Sequence, residues 1–214
     1  LVEARLGVAS ALFRALRCKH PPTASHCLRV ALGCSAWAEA IKLPESYRHT
    51  LEVAALLHDV GKIGVPDEVL HKPGHLQPDE VMAMARHRQL AVDIVSACTS
   101  RPEILEILHY AHAWFDGSRH GFDKQAAEIP FGARMLAIVD AFDAMTTDHV
   151  YRPARSRERA LTELFEFSGT QFDPDLIQNF HSLVTRDQQL LSKRVNRRWL
   201  SGFSDAAASQ LWKP

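Results

Sequence analysis

The chain carries no excess charge: Lys plus Arg and Asp plus Glu each number 25, so the formal net charge is zero with histidine neutral. A broad nucleic-acid surface is therefore not expected, and a small anionic ligand would need a local cluster of positive groups. Among the four cysteines there is no Cys-x-x-Cys pair, so the usual spacing signal of a thiolate zinc site is missing. Cys27 and Cys34 lie seven residues apart, on one face of a helix, and read as buried thiols, with a zinc-thiolate or disulfide role as the alternative. No apolar run approaches the ~18–20 residues that span a bilayer, and no signal-peptide pattern opens the chain. A cytoplasmic protein with no membrane segment is the expectation. There are no internal repeats, no low-complexity linker and no long strict alternation, so a sheet is not expected either. The first residue is Leu1 rather than Met, which is consistent with a piece cut from something longer.

What remains is a helical globular sequence of 214 residues, 46% apolar and 23% charged, enough for one large domain with an appendage. Val2 to Leu16 repeats apolar residues at helical spacing until Lys19-His20-Pro21-Pro22 interrupts it. Thr23 stands where an N-cap would precede a second helix over Cys27 to Ile41. Leu43-Pro44-Glu45 opens a third, which ends in a strongly apolar stretch at His58-Asp59. Val65-Pro66-Asp67 reads as a turn into a short helix. Pro78-Asp79-Glu80 starts one that continues through Met82, Met84 and His87. Further helices are expected from Pro102 to His112, from Gly132 to Thr146, and from a Ser156 cap to Phe165. The last starts at Asp173-Pro174, an N-cap followed by an N1 proline. Residues 1–19 form a leading helix, 20–185 the main domain, and 186–214 a basic helical appendage with Lys193-Arg194 and Arg197-Arg198, read as a solvated or partner-docking segment.

Histidine is the abundant residue, with twelve copies. In Leu56-Leu57-His58-Asp59-Val60-Gly61-Lys62 an aspartate follows an apolar helix directly, and burying it is costly unless a cation offsets the lost hydration. Adjacent His58 and Asp59 can present an imidazole nitrogen and a carboxylate to one site. Such mixed ligands suit iron, manganese or zinc better than a structural thiolate site. A carboxylate can also bridge two ions, which makes Asp59 the natural shared ligand. Lys62 falls one helical turn beyond His58, within reach of a phosphate oxygen or a leaving group.

His58-Asp59-Val60-Gly61-Lys62-Ile63-Gly64-Val65-Pro66-Asp67 resembles the signature of the HD-GYP family, a branch of the HD superfamily of metal-dependent phosphohydrolases. The likeness continues through Leu70-His71-Lys72-Pro73-Gly74, Met84-Ala85-Arg86-His87, Asp116-Gly117-Ser118, the block from Ala137 to Met145, and Ser168 to Pro174. It implies an all-α HD-domain helical bundle that holds two or three divalent ions and hydrolyses cyclic di-GMP or a related phosphoester with a metal-activated water. By matching positions the resemblance implies His26, His58, Asp59, His87, His112 and Asp140 as metal ligands. It implies Lys62 and Asp59 as catalytic groups, and Lys62 and Arg152 as substrate-binding groups. One or two divalent ions are expected, iron or manganese first, with zinc, nickel or magnesium as alternatives. The partners it implies are a cyclic dinucleotide or other small phosphoester, a signalling protein such as a diguanylate cyclase domain, and a second copy in a homodimer.

The family pattern is broken at several points. Its His-His-Glu motif reads Ala111-His112-Ala113, its Gly-Tyr-Pro tripeptide reads Arg119-His120-Gly121, and its Arg-Pro-Tyr-Arg reads His149-Val150-Tyr151-Arg152. A glutamate that serves a third ion in some members is Pro22, so a third ion is not expected. Losing an imidazole at Ala111 weakens the second ion, and losing an arginine at His149 removes a bidentate phosphate grip. Arg119, His120 or Arg152 are possible replacements. Three readings follow: an active phosphodiesterase, a binding or signalling module that has lost turnover, and an HD hydrolase acting on another nucleotide phosphoester.

Overall fold

The computed structural model describes residues 2–148 and 153–187, which form ten α-helices. They are α1 (Val2–Lys19), α2 (Pro21–Ala40), α3 (Glu45–Leu57), α4 (Asp67–Leu70), α5 (Pro78–Ala85), α6 (His87–Ser96), α7 (Pro102–Tyr110), α8 (Phe131–Thr146), α9 (Arg157–Glu166) and α10 (Pro174–Arg186). Among the described residues the only extended pairing is a single bridge between Ser168 and Phe172. The all-α expectation therefore holds. The appendage falls outside the described residues from 188 onward, as do His149 and Arg152. Among the described residues no helix is long and apolar enough to cross a membrane.

The helix boundaries follow local chemistry. Asp173 caps α10 by accepting from the Asp175 and Leu176 amides, and Ser156 caps α9 by accepting from Arg159, as the sequence predicts. Three expectations need correction. The cap of α2 is His20, whose Nδ1 accepts from the Thr23 amide; Thr23 lies within the first turn. The break after α1 falls at His20, as expected, and Pro21 and Pro22 begin α2, since a proline at N1 loses no hydrogen bond. The single helix expected through His87 is two: α5 stops at Ala85, and α6 begins at His87. Likewise α7 ends at Tyr110, so His112 sits in the turn beyond it.

Helix α2 lies at the centre, packed against α1, α3 and α8. Trp37, fully buried on α2, stacks at 4.9 Å on Phe180 of α10 and donates its indole N–H to Asn179 at 2.7 Å. Phe142 of α8 meets Phe180 edge-to-face at 5.3 Å. These contacts lock α2, α8 and α10 into one layer. Leu51, Ala54, Ala55 and Leu56 of α3 are buried against it. At ~1.5–3 kcal/mol per buried large apolar side chain, this layer supplies the rigidity needed to aim polar groups at its edge.

One close approach decides where the polar edge forms. The 3₁₀ turn Val60–Gly64 follows α3 and packs on α6. A Cβ on Gly61 would lie 1.9 Å from the His87 carbonyl oxygen, so only glycine lets the two backbones meet there. That contact sets the start of α6 beside the end of α3.

Candidate metal centre

Asp59 sits between two groups of histidines. It is 4% exposed, and its two oxygens face different rings: Oδ1 is 3.2 Å from His87 Nε2, and Oδ2 is 3.7 Å from His58 Nε2. This is the disposition of a carboxylate that can serve two ions at once. Lys62 Nζ donates to Oδ2 at 2.6 Å.

The first group comes from α2, α3 and α8. His26 Nε2 is 2.9 Å from Asp140 Oδ1, and His58 Nε2 is 3.8 Å from the same oxygen. One donor atom from each of His26, His58 and Asp140 lies within 4.8 Å of the others, close enough to share a cation. His58 donates its Nδ1–H to the Ala55 carbonyl at 2.8 Å. Its Nε2 is buried, faces the carboxylates, and has no hydrogen-bond partner. Whether that nitrogen carries a proton or a lone pair, leaving it buried and unpaired is costly, and a divalent ion bound to the neutral ring would satisfy it. The donor set therefore fits such an ion.

Backing groups hold these ligands in orientation. His26 Nδ1 pairs with Asp143 Oδ2 at 2.7 Å, and Arg29 grips Asp143 through two bonds of 2.8 and 2.9 Å. The sequence reading did not single out Asp143. Its signal was present as two complementary one-turn pairs, His26 with Arg29 on α2 and Asp140 with Asp143 on α8. Such carboxylate–imidazole support is the usual way a metal-binding histidine is held.

The second group is thinner. His87 donates its Nδ1–H to the Met84 carbonyl at 2.5 Å, which leaves Nε2 for Asp59. The break between α5 and α6 makes this bond possible. His112 stands with its ring 6.1 Å from that of His87. Burial holds His112 neutral, down to about 3, which leaves it a free lone pair. Ala111 and Ala113, both buried, flank it and offer no donor.

The charge balance calls for a cation. Burial opposes charge on His26, yet the Asp140 and Asp143 hydrogen bonds outweigh it and raise His26 to about 9. Burial opposes charge on His58 as well, and the carboxylates of Asp59 and Asp140 are among the groups that outweigh it and raise it to about 9. Burial works against Asp59 too, but Lys62, His58 and His87 hold its carboxyl well below the usual range. Protons on histidine thus supply the positive charge that a metal would otherwise bring. The cavity also holds a group the sequence reading set aside: a donor atom of Cys27 lies within 4.8 Å of donor atoms on His58 and Asp59. Burial pushes the Cys27 thiol up, so it stays protonated and makes a poorer ligand than the imidazoles and carboxylates.

The fold and this constellation define a helical domain that gathers histidines and aspartates into a cluster able to hold a divalent ion. A model of the HD domain family matches residues 11–176, and the chain belongs to that family, as its HD-GYP-like blocks lead one to expect. A probable cyclic di-GMP phosphodiesterase of Vibrio cholerae is 33% identical over 189 residues, 81% of this chain and 43% of that protein. A 3'3'-cGAMP-specific phosphodiesterase of the same organism is 34% identical over 169 residues, 78% of this chain and 32% of that protein. The chain thus spans less than half the length of either relative. Among solved structures, a cyclic GMP-AMP-specific phosphodiesterase of V. cholerae superposes with a TM-score of 0.63 at 19% identity, covering 89% of this chain and 51% of that one. The PgpH HD domain of L. monocytogenes, in complex with cyclic-di-AMP, gives 0.60 at 16% identity, covering 86% and 98%. These two show the shared fold.

Proposed function

We propose that this chain is a metal-dependent phosphodiesterase domain acting on a cyclic dinucleotide, cyclic di-GMP or a close relative. The observation that carries the reading is the buried, partnerless Nε2 of His58, aimed at Asp59 and Asp140. His26, His58 and Asp140 would hold one ion, His87 and His112 a second, with Asp59 shared between them. Iron or manganese suits this imidazole–carboxylate set. When bound, such ions acidify water and neutralise charge on phosphoryl oxygens.

The chain's own groups do the rest. Asp59 fixes the spacing of the two ligand groups. Lys62 stays charged, since Asp59 raises its pKa against the effect of burial. It can therefore neutralise a phosphate oxygen or hand a proton to the departing oxygen, and it is no general base. Arg152 would supply a further phosphate contact. The test is turnover of cyclic di-GMP and 3'3'-cGAMP by protein reconstituted anaerobically with Fe(II) or Mn(II), beside His58→Ala. The reading expects cleavage that His58→Ala abolishes; failure to cleave with any divalent ion would overturn it.

One observation favours a second reading, a binding module without turnover. Ala111 and Ala113 leave the His87–His112 side two donors short of the family pattern. That reading expects cyclic dinucleotide binding with no cleavage at full metal loading.

A further inference from the structure

Helices α1, α3, α6 and α7 enclose a second cavity, of about 280 Å³, and none of its lining residues is a metal-ligand candidate. Helix α3 runs along it, because Ser46, His49, Thr50, Val53 and Leu57 recur at helical spacing on one face. That face is polar over the first turns of α3 and apolar at its end. Around the apolar end stand Val95 of α6 and Ile104 of α7, both buried, with Val8 and Leu12 of α1. An apolar wall left against water is unfavourable, so this end calls for an apolar occupant.

The polar end has a different character. Ser46, Thr50 and Arg101 line both this cavity and an adjoining hollow, to which Tyr47, Ser100 and Glu103 contribute. Three charged or titratable side chains border the cavity itself: Glu45, His49 and Arg101. The Glu45 carboxylate lies 3.8 Å from the His49 ring. Arg101 is exposed, and its backbone amide donates to Thr99 Oγ1 at 3.3 Å. Its guanidinium has no ion-pair or hydrogen-bond partner among the described residues. The cavity thus runs from an apolar pocket to an unpaired cation.

We propose that this cavity binds a small acid with an apolar ring body, the rings lying between α1, α3, α6 and α7 and the carboxylate meeting Arg101. The site is independent of the phosphodiesterase reading. Its size selects a small molecule: an apolar cavity of ~150 Å³ holds one benzene ring, so about twice that space suits two fused rings, roughly ten carbons. Its charge selects an anion, because a guanidinium meets a carboxylate through two parallel hydrogen bonds.

The experiment titrates 2-naphthoate, and its neutral analogue 2-naphthalenemethanol, calorimetrically into the full chain as wild type, Arg101→Gln and Val8→Trp. Wild type is expected to bind the acid about fivefold more tightly than the alcohol, the upper worth of an exposed ion pair. Arg101→Gln should bring the acid down to the alcohol and leave the alcohol unchanged. Val8→Trp, which fills the cavity from α1, should weaken both by about tenfold or more. Val8 and Arg101 are both exposed, so each variant is expected to keep the wild-type unfolding temperature. No saturable binding, equal affinity for acid and alcohol, or binding indifferent to Val8→Trp would overturn the site. So would a dimer in sedimentation that Val8→Trp dissociates, because a second copy would then be the occupant.

Discussion

The two sides of Asp59 are built to different standards. On the α2–α8 side both imidazoles have a second anchor: His26 by Asp143, itself gripped by Arg29, and His58 by the Ala55 carbonyl. On the α6–α7 side His87 is anchored to Met84, while His112 stands between two alanines. An anchored imidazole is already in its binding orientation and loses little freedom when an ion arrives. The first side should therefore hold metal tightly and the second loosely.

The sharpest way to break this comparison is to push the two sides apart. Gly61→Ala puts a methyl group into the His87 carbonyl, and overpacking of this kind costs ~1–3 kcal/mol or more. It should lower the thermal unfolding temperature and remove the weaker ion while sparing the tighter one. Loss of both ions together would show that the sides are not separable.

A smaller effect is expected from Asp143→Asn. It leaves every ligand candidate in place but strips His26 of its charged support, and such changes weaken metal binding ~10- to 100-fold. A calorimetric titration should find the loss confined to the tighter ion. An equal loss at both would mean that Asp143 acts on the fold rather than on His26.

The smallest effect is a pH trend. His26 and His58 in the metal-free protein sit near 9, above the ordinary 6.5. A raised histidine pKa stabilises the fold fully below 6.5, and that contribution fades as pH rises toward 9. Metal binding must displace the same protons, so it strengthens over the same window. The gap in unfolding temperature between manganese-loaded and metal-free protein should widen from pH 6.5 to 9. A gap that narrows would place the protons elsewhere.

Much of this was legible in the sequence, for identifiable reasons. Helical periodicity and the Asp173 and Ser156 caps are local signals, and they set α8, α9 and α10 within a residue or so. His58-Asp59 was visible because a charged pair closing an apolar helix needs a compensating partner. Asp143 was not, because its role depends on α2 meeting α8 across more than a hundred residues. Thr23 was misplaced as a cap because a histidine side chain can do that work and the proline pair disguised the helix start.

The most direct test is a titration of the metal-free protein with Mn(II), followed by electron paramagnetic resonance, for wild type, His58→Ala and His87→Ala. The account predicts two binding events of unequal affinity in the wild type, with a magnetically coupled pair at saturation. His58→Ala should remove the tighter event and His87→Ala the weaker, and either should abolish the coupling. A single uncoupled event that survives His58→Ala would contradict the centre around Asp59.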